Sequence, residues 1–454
     1  MKKIKTTHEI ITNVIAEHIQ AIDPKFRITE GTTVNLSYNQ IVGNGLNIVA
    51  TLNTTGVRTV DLSHNQISRY APSVAAAFKD KGVVAVDLSY NQIVAYAPIT
   101  AFDFRDTGVM EVNLAGNEIT KYAPATAASF KGTGITKVNL SYNQIAKYAP
   151  ATASSFEDTG VMEVDLASNN IAEDAPATAS SFKGTGITKV NLSCNKIAKH
   201  APATASAFKG TGVTEVNLAS NDIAEDAPAT AAGFKGTGIT KVNLSCNKIA
   251  KHAPATASAF KGTGVTEVNL TSNDIAEDAP ATAAAFKGTG VVAVDLSYNY
   301  IAEDTPSTIA SFKGTGITKV ILAGNIIAEY ASSTAAAFTG TEVIIVDLSY
   351  NQIAQNAPAT AAAFKDTGVI AVSLENNGTT LETDLKCLDI IWNQGQVCKL
   401  ALDHKKECAN LMKECIEAIL YTEFTNKGAL GEKLLFPDDV QNLIEAYATI
   451  EMDW

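Results

Sequence analysis

The chain has 454 residues with 47 Asp and Glu against 35 Lys and Arg, for a formal net charge of −12. Only four arginines occur (Arg27, Arg58, Arg69 and Arg105) and no clustered basic face is visible, which argues against a nucleic-acid partner. No apolar run approaches the roughly 20 residues a bilayer-spanning helix needs, so a membrane partner is not expected either.

The first thirty residues predict a capping helix, residues 1–30. Thr6-x-x-Glu9 is a capping-box pattern, and Ile10, Ile11, Val14, Ile15, Ile19 and Ile22 form an apolar stripe. Glu9, Asn13 and Glu17 interrupt any continuous apolar core, so the segment does not read as a secretory signal peptide.

From residue 31 a short unit recurs. Fourteen valines, from Val34 to Val372, stand at a spacing of 26, giving thirteen full repeats and a partial one over 31–377. In the unit 135–160, Val138 and Leu140 alternate with Lys137, Asn139 and Ser141, the period-two pattern of a half-buried strand with those three facing outward. Pro150 then suits the first position of a short helix that buries Ala149, Ala153 and Phe156, and Gly160 follows its end. An Asn recurs at the turn after every strand, from Asn39 to Asn377, where an amide can bond backbone groups left unpaired by the bend. A strand–helix unit cannot bury both faces alone, but stacked units share a continuous core.

The pattern I-x-x-V-x-L-x-x-N-x-I followed by a helix resembles leucine-rich repeats of the ribonuclease-inhibitor-like type. The resemblance covers about three quarters of the chain; the units are slightly short for the type, and their Ala-Pro-Ala-Thr-Ala helices carry fewer leucines. It implies an α/β fold: a right-handed solenoid, or horseshoe, with a parallel concave sheet, outer helices and caps at both ends. It also implies binding of a protein partner through the concave face.

In parallel in-register strands, residues one repeat apart are neighbours at roughly 4.8 Å. Glu111, Lys137, Glu163, Lys189, Glu215, Lys241 and Glu267 therefore predict a structural ladder of alternating charge. Similar alternation follows in the turns, with Lys196, Asp222, Lys248 and Asp274, and in the next loop, where His200 and His252 stand among Asp174, Asp226 and Asp278. Residues 182–233 and 234–285 differ at only two places, so the middle repeats read as a spacer that has not diversified toward an irregular partner. Aromatics gather instead toward the ends. The residue before the turn Asn is Tyr38, His64, Tyr90 and Tyr142 early, Ser or Cys in the middle, and Tyr298 and Tyr350 late. Tyrosine favours interfaces because it offers large area and a polar tip at low entropic cost. These six residues are the candidate protein-binding set. A second tyrosine row, Tyr70, Tyr96, Tyr122 and Tyr148, with Tyr330 late, reads more readily as edge cover.

Residues 378–454 change in composition and predict a helical module, with helices near 381–393, 396–423 and 437–450. It holds Cys387, Cys398, Cys408 and Cys415 without a Cys-x-x-Cys pair. Cys194 and Cys246, two repeats apart, would lie about 10 Å from each other, too far to bridge. Free thiols fit a reducing compartment, and the glycosylation-type triplet Asn139-Leu140-Ser141 would fall inside a packed strand.

Cys387-Leu388-Asp389 matches the Cys-x-Asp nucleophile motif of ubiquitin-ligase domains in some bacterial leucine-rich repeat effectors, although those domains are several times longer than this tail. Ran GTPase-activating proteins resemble the chain only in repeat type. No phosphate loop, His-Glu-x-x-His or Gly-x-Ser-x-Gly element occurs. The expectation is a monomeric, non-catalytic protein-interaction scaffold without cofactor or metal, cytoplasmic or delivered into a host cell, with a bacterial source suggested by the copied cassettes. Its alternatives are an effector whose C-terminal module carries or recruits an activity, and a structural spacer.

Overall fold

A computed structural model of the protein describes residues 27–29, 33–43, 45–51, 56–394 and 399–404. The chain divides into two compact units. The first holds 1–247 with 262–265, and the second holds 248–261 with 266–454.

The first unit carries three-residue strands at Thr33–Asn35, Thr59–Asp61, Ala85–Asp87, Glu111–Asn113, Lys137–Asn139, Glu163–Asp165, Lys189–Asn191, Glu215–Asn217 and Lys241–Asn243. Consecutive strands pair in parallel with valine opposite valine, so the register is one whole repeat throughout. The second unit carries strands of the same length and register at Glu267–Asn269, Ala293–Asp295, Lys319–Ile321, Ile345–Asp347 and Ala371–Ser373. This is the architecture of a leucine-rich repeat α/β solenoid.

Each repeat closes by the same local chemistry. After the strand at Lys137–Asn139 the chain turns through Tyr142 at φ 56° and runs into a 3-10 turn, Ala146–Tyr148. The α-helix Ala149–Ser154 then starts with Pro in its first turn, where a missing N–H costs nothing. Ala149, Thr152, Ala153 and Phe156 are fully buried. The Thr152 hydroxyl donates to the Tyr148 carbonyl at 2.8 Å, so a polar side chain enters the core already satisfied. Thr159 does the same at the helix exit, donating to Phe156 at 2.7 Å and accepting the Val161 N–H at 3.2 Å.

The asparagines form a ladder. Asn143 donates from Nδ2 to the carbonyls of Leu114, Leu140 and Ser141 at 3.0 to 3.1 Å. Its Oδ1 accepts the N–H groups of Asn117 and Ile119 from the preceding repeat, at 2.9 and 3.2 Å. One side chain thus satisfies buried backbone groups on two levels of the stack.

Three expectations are corrected. Ser141 is buried rather than outward, because its N–H turns in to the Asn139 Oδ1 at 2.8 Å and its carbonyl serves the ladder. Residues 1–26 of the expected capping helix lie outside the described residues, but Arg27–Thr29 is a strand, antiparallel to Thr33–Asn35 with Ile28 opposite Val34. Downstream, the helix Leu381–Gln394 agrees with the expected one, whereas Lys399–Ala401 is a strand where a helix over 396–423 was predicted. It pairs in parallel with Ala371–Ser373, Leu400 opposite Val372, so the sheet extends past residue 377. The spacing of 28 instead of 26 and the loss of the Ala-Pro-Ala-Thr helix hid this strand from the repeat pattern. The remaining expected helices, beyond residue 404, lie outside the described residues.

Candidate protein-binding surface

The left-handed turn after each strand decides where the aromatic candidates point. Tyr38, His64 and Tyr90 sit at φ 57°, 52° and 54° in successive repeats. Their N–H groups donate to the carbonyls of Ser63, Ser89 and Ala115, which locks each turn to the next. The three rings stack face to face, Tyr38 on His64 at 4.2 Å and 9°, and His64 on Tyr90 at 4.4 Å and 10°. Stacking covers both faces of His64 and one face each of Tyr38 and Tyr90; Tyr38, at the end of the row, is 62% exposed.

The row has an unexpected terminator. The Tyr90 ring lies where a side chain of Gly116 would begin, with Cε1 only 2.4 Å from the position a Cβ would take. Tyr142 follows one repeat later, exposed and beyond the glycine. The second unit repeats the arrangement: the Tyr298 ring lies over Gly324 with the same 2.4 Å, and Tyr350 follows, exposed. The glycines are visible in the sequence as Ala-Gly-Asn in place of Ser-x-Asn, but their tie to the preceding tyrosine appears only when repeats are stacked.

On the open face of the sheet beside the ring row lies a shallow hollow of about 270 Å³ lined by Thr59, Ala85, Asp87, Glu111, Asn113 and Lys137, among others. Small Thr59 and Ala85 occupy the positions that carry the charge ladder further on, which leaves the space. The hollow holds an unanticipated pair, Asn113 Nδ2 donating to Asp87 Oδ2 at 2.8 Å. Three units of 26 further on, Asn191 donates likewise to Asp165 Oδ2 at 3.0 Å, while burial pushes the Asp165 carboxyl up against the lowering effect of the Ala167 N–H and Asn191.

The ladder residues lie side by side as the register requires. Lys137 Nζ is 3.8 Å from Glu111 and 4.0 Å from Glu163; Lys189 is 3.2 Å from Glu163 and 3.6 Å from Glu215. The hydrogen bond to Glu163, then the charges of Glu215 and Glu163, raise the Lys189 pKa. Lys241 stands opposite Glu215 in the sheet, and Glu267 opens the first strand of the second unit. In the loop row, Arg69 donates to the Tyr70 hydroxyl at 2.8 Å, and Lys121 and Lys147 stand 5.2 and 5.4 Å over the rings of Tyr122 and Tyr148. Three of the five tyrosines of that row thus carry a cation of their own.

In the second unit Tyr300, Ile326, Ile344 and Ile370 are exposed as well as Tyr298 and Tyr350, and the pattern before the turn Asn singled out none of these four.

Cys194 and Cys246 are exposed free thiols, and Cys387 of the Cys-Leu-Asp tripeptide is fully buried. Buried Asp384 accepts both the backbone N–H and ring Nδ1 of His404 at 3.0 Å, which ties the end of the last strand to the helix Leu381–Gln394. Among the described residues no three His, Cys, Asp or Glu converge as a metal site, and no helix is long and apolar enough to cross a membrane.

No protein-family model matches the chain, and no curated protein matches it. Among solved structures it is similar to the leucine-rich repeat-containing protein LegL7 from Legionella pneumophila, at 20% identity and a TM-score of 0.46, over 58% of this chain and 90% of that one.

Proposed function

We propose that this leucine-rich repeat protein is a non-catalytic scaffold that binds a protein partner through the ring-bearing rim and adjoining hollow of its first repeats. The observation that carries this reading is the Tyr38–His64–Tyr90 stack. Side chains held by stacking lose little entropy on binding, and ring edges with hydroxyl or imidazole tips suit a mixed polar and apolar partner surface. Beyond Gly116 and Tyr142 the same position carries Ser168, Cys194 and Ser220, so the surface has an end as well as a beginning. The Tyr298–Gly324–Tyr350 arrangement, which repeats Tyr90–Gly116–Tyr142, supports a second contact region of the same kind on the second unit.

The test is capture of a partner by the intact chain, its identification, and its titration against wild type and Tyr38→Ala/His64→Ala/Tyr90→Ala. Circular dichroism checks that the variant keeps its fold. Hot-spot behaviour predicts a loss of at least about 2 kcal/mol, roughly thirtyfold in Kd. A partner bound equally well by the variant removes this site.

A further inference from the structure

Across residues 163–278 the charge rows of this protein alternate in sign, with one exception. The residue after the last buried Phe of each helix is Lys183, Lys209 and Lys235 in three consecutive repeats of the first unit, and Lys261, Lys287 and Lys313 in the second. All six are exposed. No carboxylate occurs between the helix start and the next strand in any of these repeats: 175–188, 201–214 and 227–240 each hold one charged residue, the lysine, and so do 253–266, 279–292 and 305–318. In a chain of net charge −12, this edge is purely cationic.

The repeats outside this stretch show what neutralises such a lysine. Lys131 pairs with Asp158 at 3.1 Å, and Asp80, Asp106, Asp158 and Asp366 stand one residue past the helix exit in their own repeats. In the six cationic repeats that position is glycine. Gly184, Gly210 and Gly236 have φ of 81°, 76° and 73°, and a Cβ at any of them would meet nothing within 4 Å. Asp is evidently tolerated at this left-handed position, since Asp106 and Asp158 adopt φ of 61° and 59° there. The geometry of the turn therefore does not demand glycine, and the missing carboxylate leaves like charges in a row. The interval is short: the buried Phe182 and Phe208 rings that precede the first two lysines stack at 6.5 Å. In the second unit Lys313 ends that unit's own three lysines, with Glu342 accepting the Gly314 N–H at 3.0 Å.

We propose that this lysine edge docks the protein on an anionic membrane surface. Only the lysines rise from the edge; between them lie Gly-Thr-Gly turns with open space above and Thr185, Thr211 and Thr237 folded inward. A flat, grooveless line of ammonium groups fits a plane of headgroups better than a polymer that needs walls, and it carries no aromatic ring on which a base could stack. With no large apolar side chain to insert, binding is electrostatic and salt-sensitive. The row escapes a linear reading of the chain because its lysines are 26 residues apart and become neighbours only in the stack. It shares no residue with the aromatic rim, so either reading can fail alone.

The experiment is co-sedimentation of the full chain with phosphatidylcholine vesicles, with and without about one third phosphatidylserine, a lipid that gives the surface its negative potential. Wild type is expected to bind only the anionic vesicles at low salt and to be released at roughly 1 M salt. Lys183→Gln/Lys209→Gln/Lys235→Gln should lose roughly a hundredfold in partitioning, about fivefold per lysine. The control Lys147→Gln/Lys199→Gln/Lys251→Gln makes the same change in net charge on the other loops and should bind as wild type, with circular dichroism confirming that both fold. Absence of wild-type binding, an unaffected lysine-edge variant, equal loss in the control, or retention on heparin or single-stranded DNA without vesicle binding would each overturn the proposal.

Discussion

Asn143→Ala tests the account of how the repeats hold one another. The side chain is fully buried and makes five hydrogen bonds to backbone groups of its own and the preceding repeat. Truncation strands the N–H groups of Asn117 and Ile119, each costing about 1–3 kcal/mol when left buried without an acceptor. The carbonyls lose a donor as well, so about 4 kcal/mol is expected, among the largest effects a single substitution gives. A repeat array need not unfold in one step, so site-resolved hydrogen exchange should accompany urea denaturation. Amides 117 and 119 should lose protection first. A global loss under about 1 kcal/mol, with those amides as protected as before, would refute the reasoning. Asn143→Asp sharpens it, because a carboxylate there faces three carbonyl oxygens and its pKa in the folded state must rise above the unfolded value. Its deficit should be full at neutral pH and shrink as the pH falls through that raised pKa.

Lys189→Glu places three carboxylates side by side in the ladder; the exposed pairs it removes are worth about 0.2–1 kcal/mol each, and the loss should diminish with added salt in thermal melts. Asp165→Asn removes a carboxyl whose pKa burial has raised, so it should stabilise at pH 7, with the advantage fading as the pH falls and the native Asp protonates before its unfolded counterpart; a variant less stable than wild type at pH 7 contradicts this. Thr271 carries a buried hydroxyl without a hydrogen-bond partner among the described residues, at the position Ala219 occupies in the sister cassette. Thr271→Ala should gain about 1 kcal/mol in urea denaturation, and a loss of that size would show the hydroxyl is satisfied. Gly116→Ala should displace the Tyr90 ring, read as a change in its ring proton shifts, with stability falling by about 1 kcal/mol.

The periodic part of this protein was legible because a solenoid turns one-dimensional spacing directly into lateral contact. A valine every 26 residues implied the register, and the register implied that Lys189 meets Glu163 and Glu215. What stayed hidden involves either broken periodicity or relations between repeats that no single unit displays. Lys399–Ala401 could not be read as a strand because it arrives two residues late, without the helix that announces the others. Tyr90 could be nominated as a surface residue, but its seat over Gly116 is a property of two repeats together. Ser141 was misassigned for a third reason: strict alternation fails once the chain leaves the strand and bends toward the ladder.

The near-identity of the middle cassettes poses a folding problem that their charges address. Residues 182–233 and 234–285 differ only at 219/271 and 233/285, and hydrophobic stacking alone would hardly distinguish correct pairing from pairing displaced by one repeat. Alternating Lys and Glu doubles the effective period: a slip of 26 residues sets Lys against Lys and Glu against Glu along the row, and only a slip of 52 restores attraction. The four ion pairs between 3.2 and 4.0 Å are individually weak, but a slip at any one interface would replace its attraction by repulsion. One of the two differences also follows from packing. A Cβ on Gly233 would stand 2.9 Å from both the Ala205 methyl and the Pro202 carbonyl oxygen, so the helix Ala227–Gly233 approaches its neighbour more closely than an alanine there would permit. Against this logic the lysine edge stands out, because its repeats forgo an acidic partner that the same turn accommodates elsewhere. A row of unneutralised like charges works against the stack that carries it, and an external anionic surface would relieve that cost.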